Sequence, residues 1–229
     1  MIIGLGHRAQ SGKDTLADFL VAKHGFTKVA FATPLKEAAR DIFLLSDEQM
    51  YGSLKEVVDP RWGRSPRDIL QKLGTEGVRN VFGNSTWVNR CKFGMEPGKD
   101  YVISDVRFLN EVEAIQAWGG YVVKVDRPSL KPIERVKPTL WGRVKAFVSL
   151  KPQPKGRWVG HPSETALLDY NGWDEIVKND GTLDDLYRRG GNTLVNLAMR
   201  ESGKRMENKL FGGGGVTLDE IVGFSEQIK

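Results

Sequence analysis

The residues Gly6-His7-Arg8-Ala9-Gln10-Ser11-Gly12-Lys13-Asp14-Thr15 place a lysine behind a glycine and a hydroxyl two positions later. They follow a short apolar run (Ile2, Ile3, Leu5) and precede a stretch with Leu16, Phe19 and Leu20 on one side. A strand, a glycine-bearing loop and a helix in that order offer backbone N–H groups and a helix N-terminus to a phosphate. Lys13 would reach the β- and γ-phosphates as a point charge, and a hydroxyl just beyond it would ligate Mg²⁺. The general template G-x-x-x-x-G-K-[ST] has glycine where this chain has His7 and Ser/Thr where it has Asp14, while Gly6 and Thr15 each lie one place away. An ordinary glycine turn is the competing reading of the same residues.

Further along, Arg67, Gln71, Gly74 and Thr75 recur at helical intervals, and Ile69, Leu70 and Leu73 occupy much of the remaining circumference. An arginine, an amide and a hydroxyl on one stripe can grip a phosphate and a base edge together, although a solvated helix face has the same spacing. Asp105 ends the apolar run Tyr101–Ser104, and a carboxylate there faces the phosphate loop, where it can hold Mg²⁺ or its waters. Arg107 and Glu111 are four residues apart, which by itself reads as a local ion pair. Trp87, after Asn84-Ser85-Thr86, is by composition as readily a core residue as a base-stacking one. His161-Pro162-Ser163-Glu164 reads as a fixed turn, and Asn179-Asp180-Gly181 as a tight turn lying where an adenine could contact backbone.

The elements that must position these residues are legible from periodicity. Five short apolar runs read as buried strands: Ile2–Leu5, Lys28–Ala32, Tyr101–Ser104, Tyr121–Val125 and Glu175–Val177. Thr33-Pro34 is an N-cap and first-turn pair ahead of Leu35, Ala38, Ala39, Ile42 and Phe43. Ser65-Pro66-Arg67-Asp68 starts a second helix, with Asp68 placed to complete a capping box. Leu109, Val112 and Ile115 mark a third, stopped by Gly119-Gly120, and Thr182-Leu183-Asp184-Asp185 opens a fourth. Strands alternating with helices imply an α/β fold, a three-layer doubly wound arrangement around a five-stranded, mostly parallel sheet whose ligands sit at the carboxyl ends of the strands.

Composition bounds the rest. The 229 residues are 40% apolar and 28% charged, which suits one α/β domain with a real core. No apolar run approaches the roughly 18 residues of a membrane span, and the N-terminus enters a strand at once rather than a basic and apolar leader. A single cysteine, Cys91, excludes an internal disulfide framework and a multi-cysteine zinc site, and reads as a packed thiol in a reducing cytoplasm. The net charge of +5 is unevenly spread: lysine and arginine dominate between Lys131 and Arg157, where Glu134 is the one acidic residue. Such a block binds nucleic acid, closes over a polyphosphate, or is simply solvated. From about Glu201 the chain reads as a flexible tail, with Gly212–Gly215 as a hinge before a short amphipathic segment that is either disordered or a means of association.

Taken in order, these pieces resemble the phage-type deoxynucleoside monophosphate kinases, a branch of the P-loop nucleoside monophosphate kinase superfamily, over most of residues 1–195. Ser11-Gly12-Lys13-Asp14-Thr15 is similar to the family's own loop, in which aspartate also follows the lysine. Thr33-Pro34-Leu35-Lys36-Glu37-Ala38 resembles its second strand-to-helix junction, and Arg67 through Gly74-Thr75, with Trp87 twelve residues on, its monophosphate-binding segment. Tyr101 through Arg107 with Glu111, Arg127-Pro128, His161 with Glu164, and Asn179-Asp180-Gly181 resemble the segments that follow. Two departures stand out. His7 replaces the loop's first glycine, and only about twenty residues separate the second helix from Ser65, a shorter insertion than the family's.

The resemblance implies a P-loop kinase domain over 1–200, with a monophosphate-binding helical segment at 34–98, a basic lid or insertion at 128–160, and a tail at 201–229. It implies ATP and deoxynucleoside monophosphate (dNMP) as substrates and Mg²⁺ as cofactor, with Lys13, Arg67, Asp105 and Arg127 catalytic. ATP would meet Ala9, Gln10, Ser11, Gly12, Lys13, Asp14, Thr15, Asn179 and Gly181, and the metal Thr15 and Asp14. The monophosphate would meet Lys36, Arg67, Gln71, Gly74, Thr75, Trp87, Asp105, Arg107 and Glu111, with lid arginines such as Arg135 or Arg143 closing over the transferring group. A transferase of this kind supplies precursors for DNA synthesis from the cytoplasm, the host's if phage-encoded. It needs no membrane or nucleic-acid partner, and a homodimer is left open. The rival readings are a dephospho-coenzyme A or phosphomevalonate kinase relative, a nucleic-acid-binding P-loop ATPase that uses the basic block, and a catalytically dead nucleotide-binding module.

Overall fold

The computed structural model describes residues 1–130, 135–136, 157–158 and 165–211. Five strands, β1 (Ile2–Gly6), β2 (Thr27–Val29), β3 (Tyr101–Val106), β4 (Tyr121–Asp126) and β7 (Glu175–Lys178), form one sheet in the order β2-β3-β1-β4-β7. Every pairing in it is parallel. All five strands expected from the apolar runs are present, but the second is shorter than the expected Lys28–Ala32: β2 ends at Val29, and Ala30–Ala32 turn into the next helix. Two further two-residue strands, β5 (Arg135–Val136) and β6 (Arg157–Trp158), pair antiparallel apart from this sheet.

Strand residues alternate between two cores, because successive side chains leave a strand on opposite faces. Ile3, Leu5, Val102 and Val123 join Leu16, Ala17 and Leu20 of α1 (Lys13–His24) and Leu186 and Leu197 of the last helix. Ile103, Val106 and Val122 face the other way, onto Val88 and Cys91 of α6 (Thr86–Phe93) and Val112 and Ile115 of α7 (Leu109–Ala117). The result is helix, sheet, helix: three layers, as expected. Gly190 lets the last helix approach α1 closely, since a Cβ there would collide with Leu16 Cδ1. A third, smaller core of Ala39, Leu45, Met50, Ile69 and Leu70 lies away from the sheet. It joins α2 (Thr33–Phe43), α3 (Asp47–Tyr51) and α4 (Pro66–Gln71).

Several local expectations are corrected. Thr33 is not an N-cap: α2 begins on it, Ala32 is the cap residue, and no side chain caps the helix. At Ser65 half of the capping box forms, with Ser65 Oγ accepting from Asp68 N at 3.3 Å, but the Asp68 carboxylate turns to Arg64 at 2.7 Å instead of back to the cap. Ser85 makes no side-chain cap to α6. Helix α4 does not simply continue. Residues Lys72–Arg79 wind as a π-helix before one last turn, α5 (Asn80–Phe82). The last helix, α8 (Leu183–Phe211), runs past Glu201 without a break, because residues such as Met199, Arg200, Glu201 and Lys204 are good helix formers and the glycine run begins only at Gly212. Its start is as expected: Thr182 Oγ1 accepts from Asp185 N at 3.2 Å, and Asp185 accepts from Thr182 N at 3.1 Å. The bulk of the basic block 131–157, with Arg143, His161 and Glu164, lies outside the described residues, as does the tail from residue 212.

Candidate active site

Parallel strands all end on one edge, and here that edge gathers the chemistry. In register, Gly6 of β1 lies beside Val106 of β3 and Lys124 of β4. The chain turns one way after β1, toward β3 and β2, and the other way after β3, toward β4 and β7. The crevice at such a switch point is where open α/β sheets bind ligands. Into it project the phosphate loop after β1, the turn Ala30–Ala32 after β2, Arg107 and Phe108 after β3, Arg127 after β4 and Asn179 after β7.

The loop is wound tightly, with positive φ at His7 (102°), Gln10 (60°) and Gly12 (100°). Gly12 is the N-cap of α1, so the first N–H groups of that helix lack intrahelical partners and face the loop. Lys13 is 7% exposed and folds back over the loop, its Nζ donating to the carbonyls of His7 (3.2 Å) and Arg8 and to Ser11 Oγ (3.4 Å). An ammonium held on carbonyls at the mouth of a helix N-terminus is placed to exchange them for phosphate oxygens. Arg127 Nη1 donates to Gln10 O at 3.3 Å, which sets the residue after β4 against the loop. Asn179 Nδ2 donates to Ser11 O at 2.9 Å, so this side chain braces the loop rather than standing free beside it.

Asp14 points elsewhere than the metal-ligand expectation placed it. Its exposed carboxylate pairs with Lys28 Nζ at 3.1 Å, and Asp18 shares the same ammonium at 2.9 Å. The pairing holds Lys28 above the ordinary lysine range. Thr15, in the first turn of α1, carries the hydroxyl expected to ligate the metal. Among the described residues no group of three or more His, Cys, Asp or Glu could hold a metal ion.

Beside the loop, an open cleft lies between α2, the α4–π helix, and the end of β3. Of the residues expected to meet the monophosphate, all nine line it: Lys36, Arg67, Gln71, Gly74, Thr75, Trp87, Asp105, Arg107 and Glu111. The helical stripe is therefore real. It is also longer than expected, because Arg79, four residues beyond Thr75, lines the same cleft. Residues spaced by four drift by about 40° per step around an α-helix. The wider i→i+5 winding of Lys72–Arg79 offsets that drift and keeps Arg67, Gln71, Thr75 and Arg79 on one wall. Lys55, Phe31, Ala32, Leu35, Leu70 and Phe108 complete the lining. Five basic side chains against two acidic ones make the cleft attractive to an anion.

Individual geometries sharpen this. Arg67 Nη1 donates to Glu56 Oε1 at 2.9 Å at the outer end. Lys36 Nζ sits 4.1 Å above the Tyr51 ring, and burial, with Lys55 close by, lowers its pKa. Trp87 Nε1 donates to Gly74 O at 3.0 Å, locking the indole against the π-helix with its ring lining the cleft.

Two carboxylates behave differently from expectation. Asp105 faces the β2–α2 turn and not the phosphate loop: Oδ1 accepts from Phe31 N at 2.8 Å and Oδ2 from Ala32 N at 2.9 Å. Burial raises its pKa against those two bonds. Glu111, 1% exposed, has both oxygens engaged, Oε1 with Arg79 Nη2 at 2.5 Å and Oε2 with the N–H groups of Arg107 (2.7 Å) and Phe108 (3.1 Å). It closes the floor of the cleft and caps α7 rather than reaching out to a base edge. Arg79 in turn sits over Phe108, its Cζ 4.0 Å from the ring centroid. Cys91 is buried and its thiol is pushed up to about 12, as a packed residue should be.

No family model matches the sequence. Whole-chain relatives do. A protein of Acanthamoeba polyphaga mimivirus named "Putative deoxynucleotide monophosphate kinase" is 34% identical over 204 residues, 82% of this chain and 92% of that one. The deoxynucleotide monophosphate kinase of Enterobacteria phage T4 is 22% identical, spanning 84% of this chain and 98% of its own length, and that of Escherichia phage RB69 is 26% identical over 62% of this chain and 50% of its own. Among solved structures, dephospho-CoA kinase from Campylobacter jejuni aligns over 85% of this chain and 96% of its own at 12% identity and a TM-score of 0.43. The loop that cups Lys13, the basic cleft beside it and a third of all aligned residues shared with the mimiviral relative lead to one conclusion: this chain belongs to the deoxynucleotide monophosphate kinase family.

Proposed function

We propose that the protein transfers the γ-phosphoryl group of ATP to a deoxynucleoside monophosphate, giving ADP and the deoxynucleoside diphosphate. The observation that carries this reading is the basic, half-apolar cleft set beside the phosphate loop along the carboxyl edge of the sheet. One side presents Lys36, Lys55 and Arg67 to a phosphate, while Leu35, Leu70, Trp87 and Phe108 accept a sugar and a flat base.

The acceptor oxygen is already anionic, so the reaction requires positioning and charge stabilisation, not a general base. Lys13 exchanges the carbonyls of His7 and Arg8 for the β- and γ-phosphate oxygens, and Arg67 exchanges Glu56 for the acceptor phosphate. Arg127, already against Gln10, meets the transferring group from the β4 side. Asp105 and Glu111 support this from behind by fixing the β2–α2 turn and the start of α7. Mg²⁺ belongs to the ATP complex. Thr15 would supply a protein ligand to it, and the ion would contribute charge neutralisation to phosphoryl transfer. With Asp14 bound to Lys28, that aspartate's part is to hold α1 against β2.

A coupled ADP-release assay with dAMP, dCMP, dGMP and dTMP, alongside dephospho-coenzyme A, tests the reading. Turnover with at least one dNMP and none with dephospho-coenzyme A supports it, and the reverse pattern refutes it. Arg67→Ala is expected to raise the dNMP KM by about tenfold or more with a smaller change in the ATP KM. An unchanged dNMP KM would remove Arg67 from the acceptor site.

A further inference from the structure

His7 occupies the one loop position whose residue type contradicts its backbone. Its φ of 102° is one that side chains avoid, and glycine would take it freely. The side chain is nevertheless tucked in, 10% exposed, with Nδ1 lacking a hydrogen-bond partner among the described residues. Asp126 Oδ1 stands 3.6 Å from that nitrogen, just too far for a hydrogen bond, and the same oxygen is 3.6 Å from Lys124 Nζ. Asp126 is the last residue of β4, and Arg127 follows it against Gln10 of the loop. The carbonyl of His7, meanwhile, is one of the two that receive Lys13 Nζ.

One residue therefore joins the parking place of the loop lysine to the end of the strand that leads to Arg127. An orphaned buried nitrogen next to a carboxylate it does not yet touch is the mark of a contact that forms in another state of the loop. When Lys13 leaves the His7 carbonyl for a phosphate, that peptide is freed to turn and the imidazole can close the remaining gap.

We propose that His7 is a positioning residue for ATP: its Nδ1–H closes onto Asp126 as Lys13 transfers to the nucleotide phosphates, locking the loaded loop to the end of β4 and holding Arg127 beside it. His7 acts through Lys13 and Asp126 and does not itself touch the reacting atoms. The inference rests on the phosphate-loop part of the proposed function and is independent of which acceptor is used.

The test is ATP affinity without acceptor, measured by equilibrium dialysis with Mg²⁺, on His7→Ala, His7→Gly, His7→Asn and Asp126→Ala. Losing a hydrogen bond to a charged group is expected to weaken ATP about tenfold in His7→Ala and His7→Gly alike. In His7→Asn, whose amide restores a donor, affinity should return to within about threefold of wild type, and Asp126→Ala, which removes the acceptor, should weaken ATP as His7→Ala does. Wild-type affinity in His7→Gly would overturn the proposal, since backbone conformation alone would then suffice. So would failure of His7→Asn to rescue, or an equal loss of ATP and dNMP affinity together with a lowered Tm, which is what a purely structural role gives. A wild-type protein that binds ATP but phosphorylates no dNMP would refute the acceptor assignment and leave this inference standing. One that binds no ATP refutes both.

Discussion

The reassignment of Glu111 from ligand contact to internal brace can be tested by removing it. In Glu111→Ala, the Arg79 guanidinium, 9% exposed and 2.5 Å from its partner, is left as an uncompensated buried charge. Breaking one side of a buried pair costs about 3–5 kcal/mol. The N–H groups of Arg107 and Phe108 lose their acceptor at the start of α7, and a lost helix cap costs about 1 kcal/mol. The sum, about 4–6 kcal/mol, is a large share of the roughly 5–15 kcal/mol available to a folded domain. At about 2–4 °C per kcal/mol for a chain of this size, Tm should fall by roughly 10–20 °C, read by calorimetry together with urea unfolding. The double variant Arg79→Leu with Glu111→Leu replaces the pair with apolar side chains and should recover most of the loss. A Tm for Glu111→Ala within about 2 °C of wild type, combined with a raised dNMP KM, would refute the reasoning. The carboxylate would then be reading the nucleotide, as the family resemblance implies.

Three further outcomes are expected. Lys13→Ala should lower kcat by about 10²–10³ or more with the fold retained by circular dichroism, because the proposed reaction gives its ammonium to the phosphates and the contacts it now makes are with loop atoms; near-normal turnover would remove the loop from the mechanism. Gly12→Ala should be strained at φ 100° and push on Asn179 Nδ2, 2.5 Å from the new Cβ, lowering stability by about 1–3 kcal/mol and weakening ATP, as thermal shift with and without nucleotide would show. Burial and Lys124 lower His7 from 6.5 to about 4. The unfolded chain then takes up a proton below pH 6.5 that the folded one refuses until about pH 4. That contribution to stability is complete above pH 6.5 and is lost as pH falls toward 4. His7→Asn should flatten this part of the Tm–pH profile, and an unaltered profile would contradict the assignment.

The sequence alone determined the five strands, the main helices and the side of the sheet on which their loops meet, but not α3 or the π-helical winding. Buried parallel strands advertise themselves as apolar runs, and all five emerged where expected. Because parallel strands share a direction, naming them also named the edge on which their loops meet, so the phosphate loop, Arg127 and Asn179 were predictable neighbours. The stripe Arg67, Gln71, Gly74, Thr75 was legible from helical spacing. Arg79 continued the same interval of four, and it went unread because an α-helix would have carried it out of line, a drift that only the π-helical winding corrects.

Tertiary structure decided where charges point. Asp105 and Glu111 carry the residue types and positions of ligand contacts. In the fold, however, their oxygens lie within reach of backbone N–H groups from the β2–α2 turn and the start of α7, and in Glu111's case of an arginine thirty-two residues away in the chain. Asp14 follows the loop lysine, yet β2 brings Lys28 beside α1 and takes it. A one-dimensional pattern specifies period and therefore face. The partner of a carboxylate is set by whichever donor the packing brings nearest, and burial makes leaving it unpaired costly. His7 shows the same division: the sequence marks it as an anomaly in the loop, and only the fold shows that Asp126 waits 3.6 Å away.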